Sequence, residues 1–185
     1  MSFPKPILFF ITAAIISGCD SKADAPFSTH WNAGEQQYDF KSLPSFQSLP
    51  QSDGRNLIYV TAPPSGSLGK GEYRFYFSGN KLNQIIYRTY DISGSDSEDS
   101  AKARYQELKL ELTKLYGVPV GVNEHVYNKN FEFFPCITNK YCGEWSSEFA
   151  NGTTKALLSI GMGKNGSGYA EDRIAGSVSI EFSKK

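Results

Sequence analysis

Apolar and polar residues alternate with a period of two in the first half of the chain, and this pattern predicts half-buried β-strands. In residues 73–77 the alternate aromatic side chains share one face. Gly79-Asn80 follows and favours a two-residue turn into a return strand over 82–90. The β-branched and aromatic run 57–61 predicts a strand before these two. We therefore expect three antiparallel strands in series.

A helical period replaces the period of two over residues 97–116 and predicts one long helix. The apolar stripe consists of Ala101, Tyr105, Leu108, Leu112 and Leu115, and the last four are expected to be buried. Ser95 and Glu98 have the spacing of a capping box, while Gly117 and Pro119 end the helix. A coiled coil is the alternative, but so short a stripe favours packing on a sheet.

The second half of the chain returns to the strand pattern. Strands are expected over 122–127, 131–134, 144–149, 154–162 and 174–182. The first two of these are expected to pair across 128–130, and Asn151-Gly152 favours a hairpin turn between the next two. Strands on either side of one helix indicate the α+β class, with an antiparallel sheet of hairpins and one long helix packed on a face.

The composition excludes some classes of function but does not identify a particular function. The chain has 185 residues, enough for one domain plus a tail, and 14% of them are aromatic, which is sufficient to build a core. Lys+Arg and Asp+Glu balance at 19 each, so no basic patch points to nucleic acid. Two histidines and three cysteines leave little material for a catalytic or metal site, and no cofactor is expected.

The N-terminus has the organisation of an export signal. Lys5 precedes the apolar run 7–16, which at ten residues is too short for a bilayer core that needs about 20. That length suits the apolar region of a signal peptide. Small residues, Ser17-Gly18, then precede Cys19.

The segment Ile16-Ser17-Gly18-Cys19 resembles the lipobox of bacterial lipoproteins. The resemblance implies that the Cys19 thiol receives a diacylglyceryl group, that the chain is cut before Cys19, and that the new amine is acylated. Asp20 resembles the signal that retains such proteins in the inner membrane, so an anchor on its periplasmic side is expected rather than one in the outer membrane. An ordinary signal peptide with a chance cysteine is the alternative.

These features divide the chain into three parts. Residues 1–18 are the expected lipoprotein signal peptide, and 19–30 are a lipidated flexible tether of small and polar residues. Residues 31–185 form a single α+β periplasmic domain. Its first part, 31–56, carries scattered aromatic residues interrupted by prolines, which indicates an irregular arm packed on the domain. A longer disordered tether is the alternative for this arm.

Cys136 and Cys142 are expected to form a disulfide. They enclose five residues, and export places them where disulfides persist. Lipidation of Cys19 would leave these two cysteines as an even pair. Free thiols, a redox pair and a metal site are the alternatives. The spacing is not C-x-x-C, however, and His125 alone does not complete a zinc site.

Several motifs of catalytic proteins occur here without their structural context. Residues 161–166 match G-x-G-x-x-G, but a strand is expected after them instead of the helix that a dinucleotide site needs. The glycine-rich segment 66–71 also lacks a following helix. His30 lies in the tether and His125 is isolated in the sequence, so neither indicates nucleophilic catalysis.

Carboxylates leave one enzymatic alternative open. The acidic residues that a fold could bring together are Glu132, Glu144, Glu148, Glu171 and Asp172. Two such groups could serve a small envelope hydrolase that acts on peptidoglycan or glycan. Nothing in the sequence itself brings them together.

The surplus of aromatic residues favours a binding role instead. Arg74, Tyr76, Arg88 and Tyr90 are expected opposite the buried face of their strands, and tyrosine and arginine are typical of recognition surfaces. The ordinary alternative is that such residues occur on many exposed sheet faces. We therefore expect a non-enzymatic binding or assembly module for another envelope protein, with no metal. An accessory subunit of a larger machine is a further alternative.

Overall fold

The structure, a computed structural model, describes residues 23–128, 130–163 and 175–185. Two 3₁₀ turns, Glu35–Gln37 and Phe40–Ser42, precede the first strand. The strands are β1 (Gln47–Pro50), β2 (Arg55–Val60), β3 (Glu72–Ser78), β4 (Lys81–Arg88), β5 (Gly121–Val126), β6 (Gly143–Asn151), β7 (Thr154–Met162) and β8 (Gly176–Lys184). The helices are α1 (Ser97–Tyr116) and α2 (Phe133–Ile137).

The eight strands form one sheet in the order β1-β2-β3-β4-β8-β7-β6-β5. Every neighbouring pair is antiparallel. The chain thus builds two four-stranded halves, and β4 joins them by pairing with β8, where Ile85 lies opposite Phe182. With one long helix packed on it, this sheet-dominated arrangement agrees with the expected α+β class. The three strands expected in series are β2, β3 and β4.

Helix α1 covers one face of the sheet and forms the main core with it. Burial alternates along β3, where Tyr73, Phe75 and Phe77 face the helix side with at most 1% exposure. The buried residues of the α1 stripe are Ala101, Tyr105, Leu108 and Leu112. Full burial of each large apolar side chain stabilises the fold by about 1.5–3 kcal/mol. The prediction that Leu115 is also buried is wrong, because this residue in the last turn is 61% exposed.

The two ends of α1 differ in how well the sequence predicted them. At its C-terminus, Gly117 has φ +86°, and its N–H donates to the carbonyl of Thr113. That φ lies in the region that favours glycine, so the predicted stop is confirmed. The predicted capping box is wrong: the N-cap is Asp96, and its side chain makes no capping hydrogen bond. Instead, the N–H of Ser97 bonds to the carbonyl of Gly94.

The prediction of a strand over 131–134 is wrong. Residues 133–137 form the short helix α2, and β5 pairs with β6 rather than with this segment. Three α2 side chains, Phe133, Phe134 and Ile137, enter the core. Adjacent phenylalanines that are both buried do not fit a strand with one solvated face, where successive side chains point to opposite sides.

The packed part of the chain begins earlier than Trp31, the predicted first residue of the domain. Phe27 lies edge-on to Tyr73 and Phe182 at centroid distances of 5.3 and 5.9 Å. Thr29 is fully buried. The described end of the predicted tether therefore packs on the domain as far back as Asp24. The carbonyl of Asp24 accepts hydrogen bonds from the hydroxyls of Thr153, in the β6–β7 turn, and Thr154, the first residue of β7.

The arm 31–56 packs on the domain through its aromatic residues, as predicted. Trp31 and Phe40 are 5% and 2% exposed, and the Trp31 indole donates to Thr154 Oγ1 at 2.9 Å. The arm is not irregular throughout, because β1 (Gln47–Pro50) adds an edge strand to β2. Proline is compatible with such an edge position.

The sulfur atoms of Cys136 and Cys142 lie 2.05 Å apart, at the distance of the predicted disulfide. The bond ties the end of α2 to the residue before β6. It encloses residues 137–141, of which Tyr141 is 81% exposed. The disulfide therefore closes a surface loop rather than linking distant parts of the chain.

Candidate functional site

The sheet face opposite α1, called the open face below, carries the residues predicted for binding. Arg74 and Tyr76 of β3 lie on it half-buried, since burial in that strand alternates between the two faces. Arg88 occupies the corresponding side at the end of β4. Tyr90 follows β4 and is 51% exposed. The fold thus places all four predicted residues on or beside two neighbouring strands.

The strand register extends this surface well beyond β3 and β4. One row of directly opposite residues runs across five strands: Tyr59, Arg74, Ile86, Glu181 and Leu157. Leu157 in the centre of the second half of the sheet is 39% exposed. The open face therefore mixes aromatic, charged and aliphatic side chains, a composition found at protein interfaces.

Arg74 is held by its own strand. Its guanidinium lies 2.5 Å from the carboxylate of Glu72, and the two side chains are only 23% and 12% exposed. Burial, and then the nearby charge of Glu72, raise the pKa of Tyr59 on the neighbouring strand, and Tyr90 adds to the effect. Arg74 consequently offers a planar, largely neutralised group beside two tyrosines rather than an isolated positive charge.

Tyr76 lies in a second network on the same face. The guanidinium of Arg55 sits 4.9 Å from the centre of the Tyr76 ring, a cation–π distance. Arg55 also bonds to Gln84, and Gln84 donates to Glu181 at 2.6 Å. At the other end Asp53 binds Arg55 at 2.7 Å, and the backbone and side-chain N–H groups of Arg55 lower the pKa of Asp53. These contacts hold the Arg55 guanidinium against the Tyr76 ring.

Arg88 is held within the fold by hydrogen bonds to three other residues. It donates to Ser177 Oγ at 2.9 Å, to the carbonyl of Met162 at 3.1 Å and to Asp91 at 3.3 Å. Its side chain is 16% exposed. These bonds tie β4 to β8 and β7, so we assign Arg88 a supporting role under the open face.

The carboxylates of the enzymatic alternative do not form a close pair along β6. Glu144 and Glu148 share the open face but are four residues apart, which corresponds to about 13 Å of strand. Paired carboxyl groups of glycoside hydrolases are about 5–10 Å apart. Glu132 precedes α2. Glu171 and Asp172 lie outside the described residues.

The histidines and glycine-rich segments have ordinary surroundings. His125 lies opposite Glu144 in the sheet and its ring contacts Tyr127 at 4.3 Å. Strand β3, rather than a helix, follows segment 66–71. Of 161–166, the first two residues end β7, Gly163 follows the strand, and 164–166 lie outside the described residues. Within the described ranges, no three His, Cys, Asp or Glu residues form a group suited to a metal ion.

A cleft of about 1050 Å³ lies on the helix side, between the N-terminal segment and α1. Its apolar lining includes Phe27, Leu108, Leu115, Tyr116 and Phe182. Burial raises the pKa of Tyr116 to about 12. The lining contains neither histidine nor cysteine, and none of the residues predicted for binding contributes to it. The cleft and the open face are thus separate surfaces.

No family model, curated protein or solved structure matches this chain. The lipobox residues, Cys19 among them, lie outside the described residues. In the part of the chain that the structure describes, no helix has both the length and the hydropathy needed to cross a membrane.

The open face includes residues beyond the four predicted for binding. Arg55, Tyr59, Gln84 and Glu181 surround the predicted residues. The alternation of β2 contains a signal for Tyr59, since Ile58 and Val60 on either side of it are fully buried. Alternation in β8 places Glu181 opposite the buried Ile180 and Phe182, but its place beside Gln84 depends on the pairing of β4 with β8.

Proposed function

We propose that this protein is a lipid-anchored periplasmic lipoprotein that acts as a non-enzymatic binding or assembly module for another envelope protein. The lipobox resemblance supports the anchor through Cys19, and Asp20 supports retention in the inner membrane. Anchoring by more than one acyl chain is stable, whereas a single chain binds only marginally.

One observation carries the binding role: the open face presents the Tyr76 ring in contact with a hydrogen-bonded guanidinium, and the polar groups around it are paired. The Tyr76 ring contacts the Arg55 guanidinium, and Arg74 is paired with Glu72. Pre-positioned aromatic side chains lose little conformational entropy when a partner binds. We assign the contact surface to Arg74, Tyr76 and Tyr90, supported from beneath by Arg88.

Photo-crosslinking in living cells tests this surface. A photoreactive amino acid replaces Tyr76 or, in a second variant, Tyr90. The matched control carries it at Leu110, which is 63% exposed on the helix side. The proposal expects a discrete cross-linked protein with the first two variants and none with the third. Equal cross-linking from Leu110, or none from either tyrosine, would refute the assigned surface.

The anchor and the enzymatic alternative need separate measurements. Replacement of Cys19 by Ala should abolish lipid labelling and leave the precursor uncut; normal processing of that variant would contradict the lipoprotein assignment.

Purified protein should not degrade peptidoglycan. Turnover that disappears in both Glu144→Gln and Glu148→Gln variants would replace the binding role with the hydrolase alternative.

A further inference from the structure

Very little chain separates the lipid-anchor residue from the folded domain. The carbonyl of Asp24 accepts hydrogen bonds from the hydroxyls of Thr153 and Thr154, each at 3.0 Å, so Ala23 lies beside the turn between β6 and β7. Ala23 is the fourth residue after Cys19 in the sequence. Four residues span at most about 14 Å when they are fully extended. Lipidation of Cys19 would therefore hold this turn close to the bilayer surface.

Several elements end beside the same turn and form one end of the domain, called the anchor end below. Strand β8 ends there, because the N–H of Lys185 donates to the carbonyl of Thr153 at 2.7 Å. Helix α1 ends there as well, since the Asn151 side chain donates to the carbonyl of Leu115 at 3.4 Å. The anchor end consists of residues 23–24, 115–120, 151–155 and 184–185.

Aliphatic side chains at the anchor end face the solvent. Leu115, Val118 and Val120 are 61%, 78% and 68% exposed. Leu115 and Ala23 line the same cleft, which places this apolar group next to the first described residue of the chain. The N–H of Val120 donates to the carbonyl of Glu148 at 2.8 Å and holds the loop after α1 beside β6. Grouped apolar side chains on a surface mark a site of contact with a membrane or a protein.

Exposed lysines belong to the same end. Lys155, Lys184 and Lys185 are exposed, and among the residues that the structure describes none of the three takes part in an ion pair. The carboxylate of Asp24 accepts the backbone N–H of Trp31 at 3.0 Å. Lysines next to apolar side chains are typical of surfaces that bind anionic membranes, because the headgroups attract the positive charges.

The opposite end of the domain also exposes an apolar side chain, but the anchor cannot reach it. Tyr141 lies there, two residues before β6, and is 81% exposed. Strand β6 has nine residues, so its two ends are about 27 Å apart. That distance is about twice the span of the four residues that follow Cys19. The length of the connection therefore favours the anchor end, and Tyr141 serves as an internal control.

We propose that the anchor end docks on the bilayer, with Leu115, Val118 and Val120 among the lipid headgroups and the three exposed lysines against anionic phosphates. This proposal rests on the proposed lipid anchor at Cys19. The anchor keeps the surface at a high local concentration near the membrane, so weak contacts are sufficient for docking. Because β6, β7 and β8 each have one end at this surface, docking turns the open face to the side, where a partner can reach it.

Fluorescence quenching of the full-length lipoprotein in vesicles tests this docking. An environment-sensitive fluorescent amino acid replaces Val118 or, in the matched control, Tyr141; both side chains are exposed, so neither change disturbs the core. The vesicles contain phosphatidylethanolamine, phosphatidylglycerol and a lipid with a nitroxide quencher. The fluorophore at position 118 should be quenched by the lipid and protected from iodide in the water. The fluorophore at position 141 should show the reverse.

A charge variant tests the part of the lysines. Lys184→Gln together with Lys185→Gln should weaken docking about fivefold for each lysine, measured as lost quenching at position 118. The matched control Lys140→Gln removes a positive charge at the opposite end and should leave the quenching unchanged. Equal losses in the two variants, or no loss in the first, would contradict the docking of these lysines on anionic lipid.

Flotation of the protein with the vesicles, together with lipid labelling, reports the anchor separately. Protein that floats but is quenched equally at positions 118 and 141 would overturn the docked orientation while leaving the anchor in place. Protein that neither floats nor takes up the lipid label would refute the anchor and the docking with it. Quenching at position 118 alone, in protein that floats, supports both.

Discussion

The ion pair between Lys109 and Glu124 links α1 to β5 and predicts a pH-dependent loss of stability. Lys109 Nζ lies 2.5 Å from Glu124 Oε1, and Ser147 donates to the same oxygen at 3.2 Å. Tyr105 in turn donates to Ser147 at 2.8 Å. Burial by itself would raise the pKa of Glu124. The hydrogen bond and charge of Lys109, together with the hydroxyls of Tyr105 and Ser147, outweigh burial and hold that pKa below its ordinary value.

Glu124→Gln removes the carboxylate while keeping its shape. A charge-assisted hydrogen bond contributes about 1.5–3 kcal/mol. Because both side chains are about one-fifth exposed, solvent screening places this pair at the lower end. We expect the variant to lose about 1.5 kcal/mol of unfolding free energy at pH 7. Since the folded pKa is lowered, this contribution is complete above the unfolded pKa of about 4.3 and disappears as the pH falls through the folded pKa.

Urea unfolding of the wild type and Glu124→Gln at pH 7, pH 4 and pH 3 measures this difference. The gap between the two proteins should narrow steadily over that series. The matched control is Glu111→Gln, because the Glu111–Lys114 pair is more than half exposed at both ends. That substitution should change stability by no more than about 0.5 kcal/mol at any of these pH values. A gap for Glu124→Gln that is absent at pH 7, or constant with pH, would refute the reasoning.

Three further predictions concern the core and the N-terminal packing. Leu108→Ala should lower the unfolding free energy by about 2–5 kcal/mol, whereas Leu115→Ala should stay within about 0.5 kcal/mol; equal losses would contradict the burial of the α1 stripe. Serine at both Cys136 and Cys142 should cost about 2 kcal/mol by the loop-entropy relation, and reductant should then have no further effect. Trp31→Phe should cost about 1 kcal/mol through its lost bond to Thr154, and unchanged denaturant midpoints would refute this.

Helix α1 could be predicted from the sequence because its signals are local. Its stripe repeats over several turns, and Gly117 ends it through backbone geometry alone. Leu115 was assigned to the stripe by the same repeat, yet it is exposed. The periodicity determines which side of the helix is apolar, but the reach of the sheet beneath determines how many turns are covered.

The partner of β5 could not be predicted from neighbouring residues. A strand over 131–134 was the nearest candidate in the chain, yet β5 pairs with β6. The intervening residues form α2, whose adjacent phenylalanines enter the core beside the disulfide. Local alternation predicted β5 itself, but the choice of partner depends on which segments can bury their side chains together.

The open face shows the same division between local and long-range information. Alternation within β3 was sufficient to place Arg74 and Tyr76 opposite the core. Gln84 and Glu181, which complete the network around Tyr76, are 97 residues apart. They meet only because β8 is the strand that joins the two halves of the sheet.

The pairing of charges on the open face bears on what a partner would encounter there. Arg74 is neutralised by Glu72, and Glu181 accepts a hydrogen bond from Gln84. Removing paired groups from water costs less than removing free charges, because their hydrogen bonds are already made within the protein. The exposed ring of Tyr90 and the aliphatic Leu157 then supply the surface whose burial favours association. A partner held by this face would therefore owe its affinity mainly to apolar and aromatic contacts, with the paired charges setting where it docks.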